Sequence, residues 1–230
     1  MENRVITVKG VGQVSTPPDL LVIEMNVEVI EPDYEAATRR AAEALDTLRA
    51  AVVSAGHDGK RLKTTSFSVN TKYESYKDKN GNYQSKFLGY CCAHGLRLEF
   101  DLDMKKLGAT LGAIAACDAK PKFSIRFSVK DASAVSAELL ESAIEDAKWK
   151  AGILAGSAGV SLGEILRVDH NWSEIHLYSD TDMRVDNMLC MKAPSIDMDI
   201  EPEDINLTDT VTVIWAIMET TQYSGRKRIR

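Results

Sequence analysis

From residue 21 the chain alternates apolar and polar positions, with Leu21, Ile23, Met25, Val27 and Val29 on one side and Glu24, Asn26 and Glu28 on the other. A side-chain period of two marks a strand, and one dry face opposite one wet face marks an antiparallel sheet covered on a single side. The pattern recurs at Phe123, Ile125, Phe127 and Val129, and again at Val211, Val213, Trp215 and Ile217. Over 131–159 the period changes to three and four. Leu139, Ala143, Ala147, Ala151, Leu154 and Ala158 fall on one face of a helix, capped by Asp131 or Ser133 and closed by Gly159. An alanine face lets such a helix lie close against a flat partner, which predicts a helix on a sheet.

A second long helix is expected over 33–55, with Asp33 as its cap and Tyr34, Ala37, Ala41, Leu45, Leu48 and Val52 as its buried stripe. Gly56 ends it. A Thr/Ser-rich strand over 62–76 leads to Asp78-Lys79-Asn80-Gly81-Asn82, a hairpin turn signal. The return strand runs to about Phe100 with Cys92, His94, Leu96, Leu98 and Phe100 in phase, and Asp103 opens a shorter helix through Met104, Leu107, Leu111 and Ile114. At the N-terminus, Gly10 and Gly12 interrupt the first strand and suggest a bulge or bend. A strand follows Gly163 to about Tyr178. Residues 179–208, acidic and methionine-rich with Pro194 and Pro202, read as an irregular but ordered excursion.

These elements predict an α+β fold, with antiparallel sheet(s) carrying two long helices and one shorter helix on one face. They are expected to form a single domain over 1–219, followed by a disordered basic tail over 220–230. With 230 residues and 44% hydrophobic content the chain can bury a substantial core. The net charge of −6 argues against a nucleic-acid partner, the basic run at Arg226–Arg230 being the local exception. No apolar run approaches the ~20 residues of a membrane span. The opening residues lead straight into a strand with no signal-peptide core, so the chain as given is expected to be cytoplasmic, with a mature periplasmic or extracellular form as the alternative. Cys91, Cys92, Cys117 and Cys190 show no disulfide framework and are expected to be reduced.

Val8-Lys9-Gly10-Val11-Gly12, then Pro18-Asp19 and an alternating strand, resemble the start of the SIMPL-domain proteins. Gly89-Tyr90, the helix carrying Ala143, Ala147, Lys150-Ala151, Leu154-Ala155 and Gly159, and the final strand extend that resemblance across most of the chain. This bacterial and animal family, of largely unknown biochemical function, includes periplasmic immunogenic antigens and oxidative-stress-associated proteins. The resemblance implies one α+β domain, homo-oligomerisation and no established enzyme activity.

Candidate chemistry is sparse. Gly10-Val11-Gly12 lacks the third glycine of a dinucleotide fingerprint, and Pro17-Pro18 forbids the helix that would hold a phosphate. Gly156-Ser157-Ala158-Gly159 ends a helix instead of joining strand to helix, so Ser157 is no nucleophile elbow. Cys92 and His94 share a strand face and could touch one metal, with Cys117, Cys190, His170 or His176 needed to complete it. Asp197-Met198-Asp199-Ile200-Glu201 lacks the glycine and distal glutamate of a calcium loop. Trp149 lies off the alanine stripe, either as a contact with another subunit or under the 179–208 excursion.

The expectation is therefore a non-enzymatic homo-oligomeric scaffold or stress-associated binding protein. It has no catalytic, metal or cofactor residues, and Trp149 is its candidate oligomer contact. The alternatives are a ligand- or metal-binding protein built on Cys92, His94 and a distant cysteine, or a hydrolase with a loop-built site.

Overall fold

The computed structural model describes residues 4–170, 177–185 and 200–219. The described residues form two antiparallel sheets and three α-helices, the α+β architecture expected from the patterning. They group into two compact units. One comprises described residues 4–17, 131–170, 177 and 204–219; the other comprises 18–130, 178–185 and 200–203.

The first unit contains β1 (Val5–Thr16), α3 (Ala132–Ser157), β6 (Val160–His170) and β8 (Ile205–Glu219), in sheet order β1-β8-β6. β8 buries Ile205, Leu207, Asp209, Val211, Val213 and Trp215, every second residue. α3 buries Val135, Leu139, Ala143, Ala147, Ala151 and Ala155. The buried stripe therefore continues in steps of four to Ala155, whereas Leu154 and Ala158 are exposed, contrary to the expected face. Four residues advance 400°, so a stripe kept to that step drifts around the rod and leaves Leu154 on its flank. Asp131 caps the helix, its side chain accepting from the Ala134 amide.

β1 shows no bulge. It pairs with β8 in unbroken register from Val5 opposite Ala216 to Thr16 opposite Ile205. The glycines serve the approach of α3 instead. A Cβ on Gly10 would run into the carbonyl of Ala143, and one on Gly12 into the carbonyl of Leu139. Here helix backbone rests on strand backbone, which only alanine facing glycine permits.

The second unit contains β2 (Leu20–Glu31), α1 (Tyr34–Ser54), β3 (Lys63–Lys77), β4 (Tyr83–Asp101), α2 (Met104–Ala116), β5 (Lys122–Ser128) and β7 (Tyr178–Val185). Its sheet order is β3-β4-β2-β5-β7. Leu21, Ile23, Met25, Leu96, Leu98, Phe100, Phe123, Ile125 and Phe127 from the sheet pack with Leu48, Leu107, Leu111 and Ile114 from α1 and α2. Tyr34, expected in the α1 stripe, is exposed in the first turn, where its ring meets the edge of Tyr90 at 5.8 Å. Asp33 occupies the N-cap position but makes no side-chain cap bond.

Residues 179–208 are less irregular than expected. β7 pairs with β5, and β8 begins at Ile205; residues 186–199, with Cys190, lie outside the described residues. Tyr178-Ser179-Asp180-Thr181-Asp182 has the weak alternation of an edge strand, so β7 carries little periodic signal. The strand expected to run to Tyr178 ends at His170. The basic tail and His176 are likewise outside the described residues.

Candidate functional site

Trp149 stands on the outer face of α3, opposite the alanine stripe, and is 66% exposed. Ile153, one turn on, is also exposed, and Gly152 and Gly156 beside it have open space where a side chain would sit. Together they form an apolar ridge along the C-terminal half of the helix. The flank of α3 nearest β1 is polar and already occupied. The Asp146 carboxylate accepts from the Val11 amide at 2.6 Å and from Lys150 Nζ at 2.6 Å. Ser142 Oγ accepts from the Gln13 amide, and Lys150 Nζ reaches the Lys9 carbonyl at 3.5 Å. Three side chains one turn apart thus satisfy the free edge of β1, which would otherwise template another strand. The Lys150 hydrogen bond, then the Val11 amide, hold the Asp146 carboxyl below the usual carboxylate range.

Cys92 and His94 are both buried on the helix-covered face of β4. Cys92 packs with Ala37 and Ala41 of α1, and burial pushes its thiol up. His94 Nε2 lies 2.9 Å from Thr64 Oγ1, and the Phe67 ring stands edge-on to it at 5.3 Å. Burial, then Arg49, lowers the His94 pKa. Among the described residues no further His, Cys, Asp or Glu joins this pair into a metal-holding set. A low-basicity imidazole hydrogen-bonded to a neighbouring strand fits a role in joining β3 to β4.

Two other histidines join elements in the same way. Thr110 Oγ1 donates to the Lys106 carbonyl at 2.6 Å, so its oxygen accepts from His57 Nε2–H at 2.7 Å. His57 Nδ1 is buried without a partner, and burial, Lys106 and Arg61 lower the ring's pKa, so it is held neutral. In the other unit His170 Nε2 lies 2.7 Å from the buried Asp209 carboxylate, across neighbouring strands β6 and β8. Burial raises the Asp209 pKa, but the His170 hydrogen bond and the Thr210 amide outweigh it and leave the carboxyl below its usual range. An aspartate in the inward phase between Leu207 and Val211 was the available sequence signal for this pair, and it was missed.

The polar face of the five-stranded sheet carries an open groove of about 470 Å³. Glu24 and Arg126 are among its lining residues, and the Glu24 carboxylate lies 3.7 Å from Arg126 and 2.9 Å from Arg97. Glu24 thus bridges the two guanidiniums on this face of the sheet.

Helices laid on two antiparallel sheets define an α+β domain, and its exposed apolar residues include Trp149 and Ile153 on α3 and Tyr73, Tyr83 and Phe87 on the β3–β4 hairpin. The chain belongs to the SIMPL family, a protein of unknown function (DUF541), whose sequence profile matches residues 6–215. It is also similar to the 26 kDa periplasmic immunogenic protein of Brucella melitensis biotype 1. The two are 24% identical over 163 residues, covering 71% of this chain and 65% of that relative's length. The chain thus spans just under two thirds of the curated relative it matches. No helix among the described residues is long and apolar enough to cross a membrane.

Proposed function

We propose that this chain is a self-associating, non-catalytic SIMPL domain that acts through its surfaces, as a scaffold or stress-associated binding protein. The observation that carries this reading is the ridge of Trp149 and Ile153 on α3. Exposed tryptophan on a rigid helix is the residue type that most often anchors a protein interface. The histidines support the same reading, because His57, His94 and His170 each bond a neighbouring structural element. The name of the Brucella relative describes that protein as periplasmic, and an exported location for this chain belongs to the proposal. The cytoplasmic location expected from the sequence gains no support from that relative.

Light scattering on purified protein at micromolar concentration tests the reading. A defined oligomer whose mass falls on Trp149→Glu is expected. A wild-type protein that is monomeric throughout this range removes it.

A further inference from the structure

The β3–β4 hairpin outruns its own sheet. β2 pairs with β4 only as far as Glu31 opposite Tyr90, so residues 83–89 are held by β3 alone. Gly89, at φ +142°, marks the departure, and a Cβ there would meet the Glu31 carbonyl. The register of β3 shifts between Lys72 and Tyr73 at the same level. Beyond this point the ribbon extends for roughly 20 Å at ~3.3 Å per residue.

A two-stranded ribbon is marginal in water by itself, yet this one presents an aromatic face. Tyr73 sits opposite Phe87, their ring centroids 5.5 Å apart, and Lys77 sits opposite Tyr83 with its ammonium 5.0 Å from that ring. Phe87 meets Tyr90 at 5.6 Å, which carries the track back to the start of α1. Tyr83 is 76% exposed, and Tyr73 and Phe87 are exposed with it. The least self-supporting part of the unit therefore carries much of its uncovered aromatic surface.

The arm is also basic in a chain of net charge −6. It holds Lys72, Lys77, Lys79 and Lys86 against Glu74 and Asp78. Asp78 is engaged within the turn, its carboxylate accepting from the Asn80 and Asn82 amides at 2.9 Å, and Glu74 faces Lys86 across the ribbon. The same unit carries a complement. Between the end of β2, α1 and the residues after α2 lies a groove of about 210 Å³. Its rim bears Glu28, Glu31, Glu43 and Asp118 against Arg40, and Val29, Ala44 and Ala119 supply apolar lining.

We infer that the hairpin arm of one copy docks in the acidic groove of a second copy, its lysines meeting the carboxylates and its aromatic face covering the apolar lining. This rests on the self-association proposed above and adds to the α3 ridge a second surface, without which the assembly does not hold. The arm leaves its own sheet beside Glu31 and runs away from it, so the groove it fills is another molecule's.

A charge swap tests the docking. One variant carries Lys72→Glu, Lys77→Glu and Lys79→Glu; the other carries Glu28→Lys, Glu31→Lys and Asp118→Lys. Each alone is expected to lose the wild-type oligomer in light scattering while keeping its circular dichroism. An equimolar mixture is expected to reassemble, because native arm then meets native groove and reversed arm meets reversed groove. If reversal costs the fold, Lys72→Gln with Lys77→Gln replaces it and is expected to weaken assembly and its salt dependence. Wild-type oligomers with variants that assemble equally well, or a mixture that stays dissociated, overturn the docking and leave self-association standing. A monomeric wild type defeats both.

Discussion

The two units solve one problem with different spacing. In the five-stranded unit, α1 and α2 stand off from the sheet, and the gap is filled by Leu48, Leu98, Phe100, Leu107, Phe127 and other large side chains. In the three-stranded unit, α3 lies directly on β1, and Ala143 and Ala147 face Gly10 and Gly12 with almost no side-chain volume between them. Burial of apolar area stabilises the first mainly through side chains, at ~25 cal/mol per Å². The second gains from close backbone packing and from the hydrogen bonds that Ser142, Asp146 and Lys150 make to the edge of β1. A standoff core tolerates small adjustments; a contact core has none to give.

The largest effect that would break this contrast is Gly12→Val. Its side chain would occupy the space of the Leu139 carbonyl, which no rotamer change can vacate. A loss of about 4 kcal/mol in denaturant unfolding is expected; a loss below ~1 kcal/mol would show that α3 can lift off β1. Next comes Leu98→Ala in the standoff core, where the residue is fully buried. About 3 kcal/mol is expected, from the lost transfer free energy and the cavity left behind.

Acid titration sharpens the comparison without mutation. His57 and His94, both in the five-stranded unit, have pKa values lowered by burial. Their unfolded forms bind protons first, near pH 6.5, so stability is full above that value and is lost as pH falls towards the folded pKa values. Asp146 and Asp209 of the three-stranded unit have lowered carboxyl pKa values. Their contribution is present above ~3.9 and is lost only as pH falls from there through the folded values. Hydrogen exchange followed by mass spectrometry should therefore show amides of β2, β4 and α1 losing protection as pH falls below ~6.5, ahead of those of β1 and β8. The reverse order would contradict the assignment.

The smallest expected effect is that of Asp146→Ala. It frees the Val11 amide and the Lys150 ammonium but opens no cavity. Stability should fall slightly, and the exposed β1 edge should raise the aggregation rate of folded protein on standing. An unchanged rate would mean that Ser142 and Lys150 protect the edge by themselves.

Much of this was legible in the chain. The period-two runs at Leu21–Val29 and Val211–Ile217 and the period-four alanines gave the strands, the helix and its buried face, because each is a local geometric requirement on neighbouring residues. β7 was not legible, since an edge strand with polar residues on both faces carries no alternation to detect. The bulge expected at Gly10 was wrong for a related reason. A glycine in a strand signals either a bend in its own backbone or the approach of another one, and the partner here is more than 130 residues away. Trp149 was placed off the buried stripe by helical phase alone, and it is exposed there. The aromatic track from Tyr83 to Tyr34 was not seen, because it depends on cross-strand register and on a helix end coming to rest against Tyr90.

Local pattern alone was enough to mark most helices and strands and the apolar face of each, with β7, Tyr34 and Leu154 as the exceptions. These follow from side-chain periodicity and from backbone preference within a few residues. Tertiary structure alone decided that the strands form two sheets, that one helix would touch its sheet through glycine while the others stand off on leucine and phenylalanine, and that the hairpin would run on past its sheet. Those outcomes depend on contacts between residues far apart in the chain, whose energies are set by fit in space and leave no periodic trace.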